Sequence, residues 1–145
     1  MHQLETQIEI EAPVERVWSL LIDFPSYPRW NPFVRSIEGN LEVGRSLKVF
    51  VQPPGTKGMR FQPTVLALTP NRELRWKGKL LLPGLFDGEH YFLLEIKTGG
   101  GLTFRQGETF SGIFVPLFSR SLDGATKQGF VAMNEALKRE AEKPR

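Results

Sequence analysis

Apolar and polar positions alternate over residues 5–11, with Ile8 and Ile10 on one face, which predicts a first strand. Ala12-Pro13 then changes the register. Pro13 suits the first position of a helix, where its missing N–H costs nothing, and Glu15 brings a negative charge into the first turn. Val14, Val17, Trp18 and Leu21 recur at helical spacing, so residues 13–22 read as a helix with one buried face. Pro25, Pro28 and Pro32 follow closely and forbid a second long helix. Short helical turns fit there, pinned to the body by Phe24, Tyr27 and Trp30.

From about residue 34 to residue 111 the period is two. Strands are expected near 34–41, 45–52, 59–69, 72–82, 88–97 and 102–111. The breaks carry turn chemistry: Gly44, Pro53-Pro54-Gly55, Pro70-Asn71, Pro83-Gly84 and Gly99-Gly100-Gly101. Short connections between consecutive strands make an antiparallel meander. In the last segment Leu122, Thr126, Phe130, Met133 and Leu137 form one apolar stripe, while Lys127, Asn134, Lys138 and Glu142 are placed off it. This helix should run from Ser119 or Ser121, either of which offers a cap, to about Glu142, short of Pro144.

The element order gives an α+β fold. A seven-stranded, curved antiparallel sheet wraps a long C-terminal helix, with two short helices after the first strand, in one domain over residues 1–145. A twisted sheet cannot close tightly on one straight helix, so an apolar cavity is expected between them.

Composition narrows the chemistry. Eleven Phe and three Trp provide material for pocket walls. With no cysteine, disulfides, thiolate catalysis and Cys-ligated metals are excluded, and a reducing, cytoplasmic setting fits. MHQLETQIEIEA has no apolar signal-peptide core, and no run reaches membrane-span length, so no integral membrane association is expected. The net charge of +3 is mild and spread out. Arg75, Lys77 and Lys79 share one strand face and read as a solvated surface paired with Glu89 and Glu95, not as a nucleic-acid site. His2 is assigned to a mobile end, which leaves His90 without metal-ligand company. There is no phosphate-binding loop, the glycines at 99–101 sit in a hairpin, and no Ser has a base partner, so no metal or other cofactor is expected.

Ile10-Glu11-Ala12-Pro13-Val14-Glu15-Arg16-Val17-Trp18, followed by Asp23, Tyr27-Pro28 and Trp30-Asn31-Pro32, resembles the opening of the SRPBCC superfamily. These are the START-like, birch-pollen-allergen-like helix-grip proteins, including the polyketide cyclase/dehydrase and lipid-transport group. Glu108-Thr109-Phe110-Ser111-Gly112 and the stretch from Phe130 to Leu137 resemble the same group's last strand and closing helix. The resemblance spans nearly the whole chain in order. It implies a ligand cavity, within a family of lipid carriers, hormone-binding proteins and aromatase/cyclases.

Strand alternation points to the cavity wall. His90, Phe92, Leu94 and Ile96 share an inward face, as do Leu102, Phe104, Gln106, Glu108 and Phe110 on the next strand. If Ile96 lies opposite Leu102, His90 lies opposite Glu108; a slip by two sets His90 against Phe110 with Glu108 diagonal. The pair has three open roles: mutual satisfaction, anchoring a ligand hydroxyl or carbonyl, or acid/base work on an enolisable substrate. Trp76 shares a face with Leu74, Leu80 and Leu82, and Phe61 with Pro63 and Val65. Phe114, Phe118, Phe130 and Met133 come from the last loop and helix, and core packing explains each of these as well as ligand contact does. Residues 112–118 are unusually apolar for a loop and suit a lid, a membrane-touching tip or a dimer contact. Trp30-Asn31-Pro32 reads as structural, with Asn31 bonded to local backbone.

The function expected is binding or transport of a small hydrophobic, lipid-like or aromatic ligand by a monomer or weak homodimer. The alternatives are a cyclase/dehydratase- or isomerase-type enzyme using His90 and Glu108, and an interaction module using the outer surface or the 112–118 loop.

Overall fold

The computed structural model describes residues 1–80 and 84–144. Leu82 and Pro83, expected to end a strand and begin its turn, lie outside the described residues, as does the side chain of Leu80. Strand β1 (His2–Ile10) leads into helix α1 (Val14–Ile22), which buries Val14, Val17, Trp18 and Leu21. His2 is not at a mobile end: it begins β1, and its Nε2 lies 2.7 Å from Asp123 Oδ1. A 3-10 turn (Phe24–Ser26) and the short helix α2 (Tyr27–Trp30) follow, as three prolines in this stretch require. Tyr27 is fully buried, its hydroxyl donates to the Leu21 carbonyl, and burial pushes its phenol far above the ordinary value. Asn31 Oδ1 accepts from the backbone N–H of Phe33 at 3.0 Å and of Val34 at 2.9 Å, which starts the next strand.

The remaining strands are β2 (Val34–Glu38), β3 (Lys48–Val51), β4 (Met59–Phe61), β5 (Thr64–Thr69), β6 (Glu73–Leu80), β7 (Phe86–Ile96) and β8 (Leu102–Ser111). They make a five-stranded sheet, β1-β8-β7-β6-β5, and a three-stranded sheet, β2-β3-β4, antiparallel throughout. The expected count of seven is therefore corrected to five plus three. The strand expected at 59–69 divides at Pro63, which has no N–H to give a ladder. Leu47 N–H donates to the Pro63 carbonyl at 2.9 Å and Gly44 N–H to Val65 at 2.8 Å, so the approach to β3 ties the two sheets into one curved wall.

The terminal helix is also interrupted. A 3-10 turn (Val115–Phe118) passes into helix α3 (Ser119–Ser121), a π turn (Leu122–Thr126) and helix α4 (Lys127–Glu142). Neither serine caps it through its side chain; Ser119 Oγ instead lies 3.4 Å from the Pro116 carbonyl. Asn134 is on the buried face, four residues after Phe130, and not off the stripe. On the outer surface Arg75 bonds Glu73 at 2.8 Å and Glu89 at 3.0 Å, whereas Glu95 is taken by Arg105 at 2.6 Å.

The C-terminal end of α4 is pinned to the opening of the chain. Arg16 donates to the carbonyls of Ala141 (2.7 Å) and Glu140 (2.9 Å), satisfying acceptors that the helix end leaves free. Glu140 meets Lys143 and Arg29, each at 2.6 Å. The hydrogen bond from Lys143, then that from Arg29, hold its carboxyl below the ordinary value of 4.5 against the opposing effect of burial. A depressed carboxyl stabilises the fold above its unfolded value and loses that contribution as pH falls through the folded one. Urea unfolding between neutral pH and about pH 3 should therefore show a smaller acid-induced loss in Arg29→Gln than in wild type. Equal losses would show that the pair contributes nothing to acid sensitivity.

Candidate functional site

A cavity of about 750 Å³ lies between the inner faces of β6, β7 and β8, the small sheet, and residues 114–126. Phe61, Trp76 and Phe110 form its walls with Phe33, Val51, Met59 and Phe86. Phe114, Leu117, Phe118 and Leu122 border it from the chain before α4. Trp76 is stacked against His90, with ring centroids 5.5 Å apart and planes inclined by 20°.

Two glycines make room for it. Gly78 and Gly88 face each other across β6 and β7, and both border the cavity. A Cβ on Gly88 would overlap the Glu108 carboxylate, and one on Gly78 would sit 3.0 Å from the Phe61 ring. Sequence reasoning passed over both, although glycine inside a strand is itself a signal of close approach. Phe33 and Met59, which also border the cavity, were likewise passed over.

The register is the first of the two considered: Ile96 lies opposite Leu102 and His90 opposite Glu108. His90 is 4% exposed, and its Nδ1 lies 2.8 Å from Glu108 Oε1. Its Nε2 lies 2.9 Å from Gln106 Oε1. Behind it a polar chain crosses the core. Gln106 Nε2 donates to Asn134 Oδ1 at 2.8 Å, Asn134 Nδ2 to Thr6 Oγ1 at 2.8 Å, and Thr6 Oγ1 to the Gln106 carbonyl at 3.0 Å. Thr6 and Asn134 were not singled out in the sequence, since a threonine in an alternating strand and a polar residue near a helix stripe both look solvated.

Of the candidate residues, Phe61, Trp76, His90, Glu108, Phe110, Phe114 and Phe118 border the cavity. Phe92, Phe104, Gln106, Phe130 and Met133 do not. All five are fully buried, because α4 closes directly on the sheet there, with Phe130 5.0 Å from His90 and 5.4 Å from Phe33. Ile96, the last residue of β7, does not face the core and is 68% exposed. In the apolar segment Val115 is buried, while Leu117 and Phe118 keep 77% and 48% of their surface open beside the cavity. Among the described residues, no cluster of three His, Asp or Glu side chains could hold a metal ion, and no helix is long and apolar enough to cross a membrane.

Residues 1–142 match the model of a family described as polyketide cyclase / dehydrase and lipid transport. No curated protein matches the chain. Among solved structures, the Zhui aromatase/cyclase of a Streptomyces species is 18% identical, with 97% of this chain and 93% of that one covered at a TM-score of 0.76. A START superfamily protein from Mycobacterium smegmatis is 20% identical, with 98% of each chain covered at 0.72. The di-domain aromatase/cyclase BexL, from the BE-7585A biosynthetic pathway, is 14% identical at 0.77; 99% of this chain matches 51% of that one, so this chain spans about half its length. At these identities the likeness is one of fold.

Proposed function

The chain belongs to the polyketide cyclase/dehydrase and lipid transport family, and on that premise we propose that residues 1–145 are one domain that binds a small hydrophobic or aromatic molecule in the cavity. The observation that carries this reading is a cavity of about 750 Å³ whose walls are mostly aromatic and aliphatic, with His90 and Glu108 paired on the sheet wall and Lys79, Ser121 and Thr126 as the other polar side chains bordering it. Apolar walls supply affinity at about 0.8 kcal/mol per buried methylene, and the hydrogen-bonded pair in the sheet wall supplies orientation. Phe61, Trp76, Phe110, Phe114 and Phe118 are the proposed apolar contacts.

The test is saturable uptake of a pyrene alcohol, followed by fluorescence and by native mass spectrometry. Thr126 borders the cavity from the π turn, and Thr126→Trp should fill it. Wild type should bind one equivalent and the variant none, with the fold intact by circular dichroism. Equal uptake by both proteins would place the binding elsewhere. Acid/base turnover by His90 and Glu108 is the competing reading, supported by their 2.8 Å contact in the wall. It requires that the recovered ligand be chemically changed, whereas binding returns it intact.

A further inference from the structure

The polar chain behind His90 has a direction, and that direction sets what the cavity's polar point can recognise. Backbone carbonyls only accept. The Gln106 carbonyl therefore takes the single hydroxyl proton of Thr6. Thr6 Oγ1 must then accept from Asn134, which turns the Asn134 amide nitrogen toward Thr6 and its oxygen toward Gln106. Gln106 meets that oxygen with its own nitrogen. The Phe130 carbonyl, 3.4 Å from the same nitrogen, independently requires a donor there. Gln106 Oε1 is left facing His90 Nε2, so that nitrogen carries a hydrogen.

One further proton lies in the 2.8 Å contact between His90 Nδ1 and Glu108 Oε1, since a bare nitrogen facing a bare carboxylate oxygen has no hydrogen to share. It rests on either atom, and the pair is uncharged as a unit in both cases. In both cases Glu108 Oε2 is a pure acceptor. This oxygen lies over Gly88, makes no hydrogen bond among the described residues, and belongs to a side chain that borders the cavity with 19% of its surface open.

We infer that the cavity selects uncharged apolar molecules that present a hydroxyl or N–H donor to Glu108 Oε2, and rejects carboxylates at that point. Lys79 is the cation among the described cavity-bordering residues; it is exposed at the rim and lies opposite Asp87 in the strand register. Thr6, Gln106 and Asn134 are positioning residues, acting through the tautomer of His90. The inference rests on the cavity being the binding site.

Three probes of nearly equal size test it by calorimetry on the full chain: pyrenemethanol, its methyl ether and pyrenecarboxylate. The alcohol should bind about tenfold more tightly than the ether, as one hydrogen bond to a charged or polarised acceptor gives, and the carboxylate most weakly. An ether that binds as well as the alcohol, or a carboxylate that binds best, overturns the inference while leaving the cavity reading standing. Binding of none of the three overturns both. A second readout needs no ligand: the chain has two histidines, so nitrogen-15 spectra of wild type and His2→Ala isolate His90. Nε2 should appear as the protonated nitrogen, and a bare Nε2 would refute the relay.

Discussion

Replacing Gln106 with leucine is expected to cost about 4 kcal/mol, since each buried polar group left without a partner costs roughly 1–3 kcal/mol and at least two are stranded. Those two are the His90 Nε2 hydrogen and the Asn134 Oδ1 lone pair, both now met by the Gln106 amide. Gln106 is fully buried, so water cannot take over without opening the contact between α4 and β8. Leucine fills most of the volume, so the loss reads out polar mismatch more than cavity formation. Denaturant unfolding measures it through a lower midpoint at unchanged slope. A loss below about 1 kcal/mol would mean that the chain from Thr6 to His90 relaxes freely, and the tautomer argument would fall with it.

Occupancy of the cavity should raise thermal stability by a comparable amount. A ligand at one hundred times its dissociation constant adds about 2.7 kcal/mol when it binds only the folded state. For a domain of this size that is a rise of about 8 °C in midpoint. Thr126→Trp should show no such rise with the same probe, because the indole takes the ligand's place. The variant also serves as its own control: if it melts near wild type without ligand, the lost shift is a lost site and not a damaged fold. A shift that persists in the variant would put the probe on the outer surface, with exposed Leu117 and Phe118 the first place to look.

Much of the site was legible in the sequence because strand alternation is a strict code. Once Gly99-Gly100-Gly101 marks the turn, a register with Ile96 opposite Leu102 and one slipped by two both bring His90 near Glu108, and the structure has the first. The same code could not say how far along the inner face the helix would press. Phe92, Phe104 and Gln106 have the same alternation as His90 and Phe110, yet α4 seals the first three into the core. That boundary depends on where Phe130 meets Phe33 and His90, a tertiary fact with no local pattern. The split of the sheet was legible in principle, because Pro63 cannot donate to a ladder, but period two continues across it and masked the break. The amide of Asn134 suggests a solvated position, but its spacing four after Phe130 is the better guide, and the residue is buried.

The π turn at Leu122–Thr126 has a consequence of phase. Such a turn holds one residue more than regular α winding, and each residue advances an α-helix by about 100°. Phe130, Met133 and Leu137 keep the angular position that the core demands, while Ser121 and Leu122 are rotated onto the cavity. Taking one residue from this stretch would restore even winding and swing residues 119–123 through about 100° relative to α4. Ser121 and Leu122 would leave the cavity, and Asp123 would leave His2. The chamber would acquire a different outline through a change in chain length alone, with no side chain on its sheet walls altered.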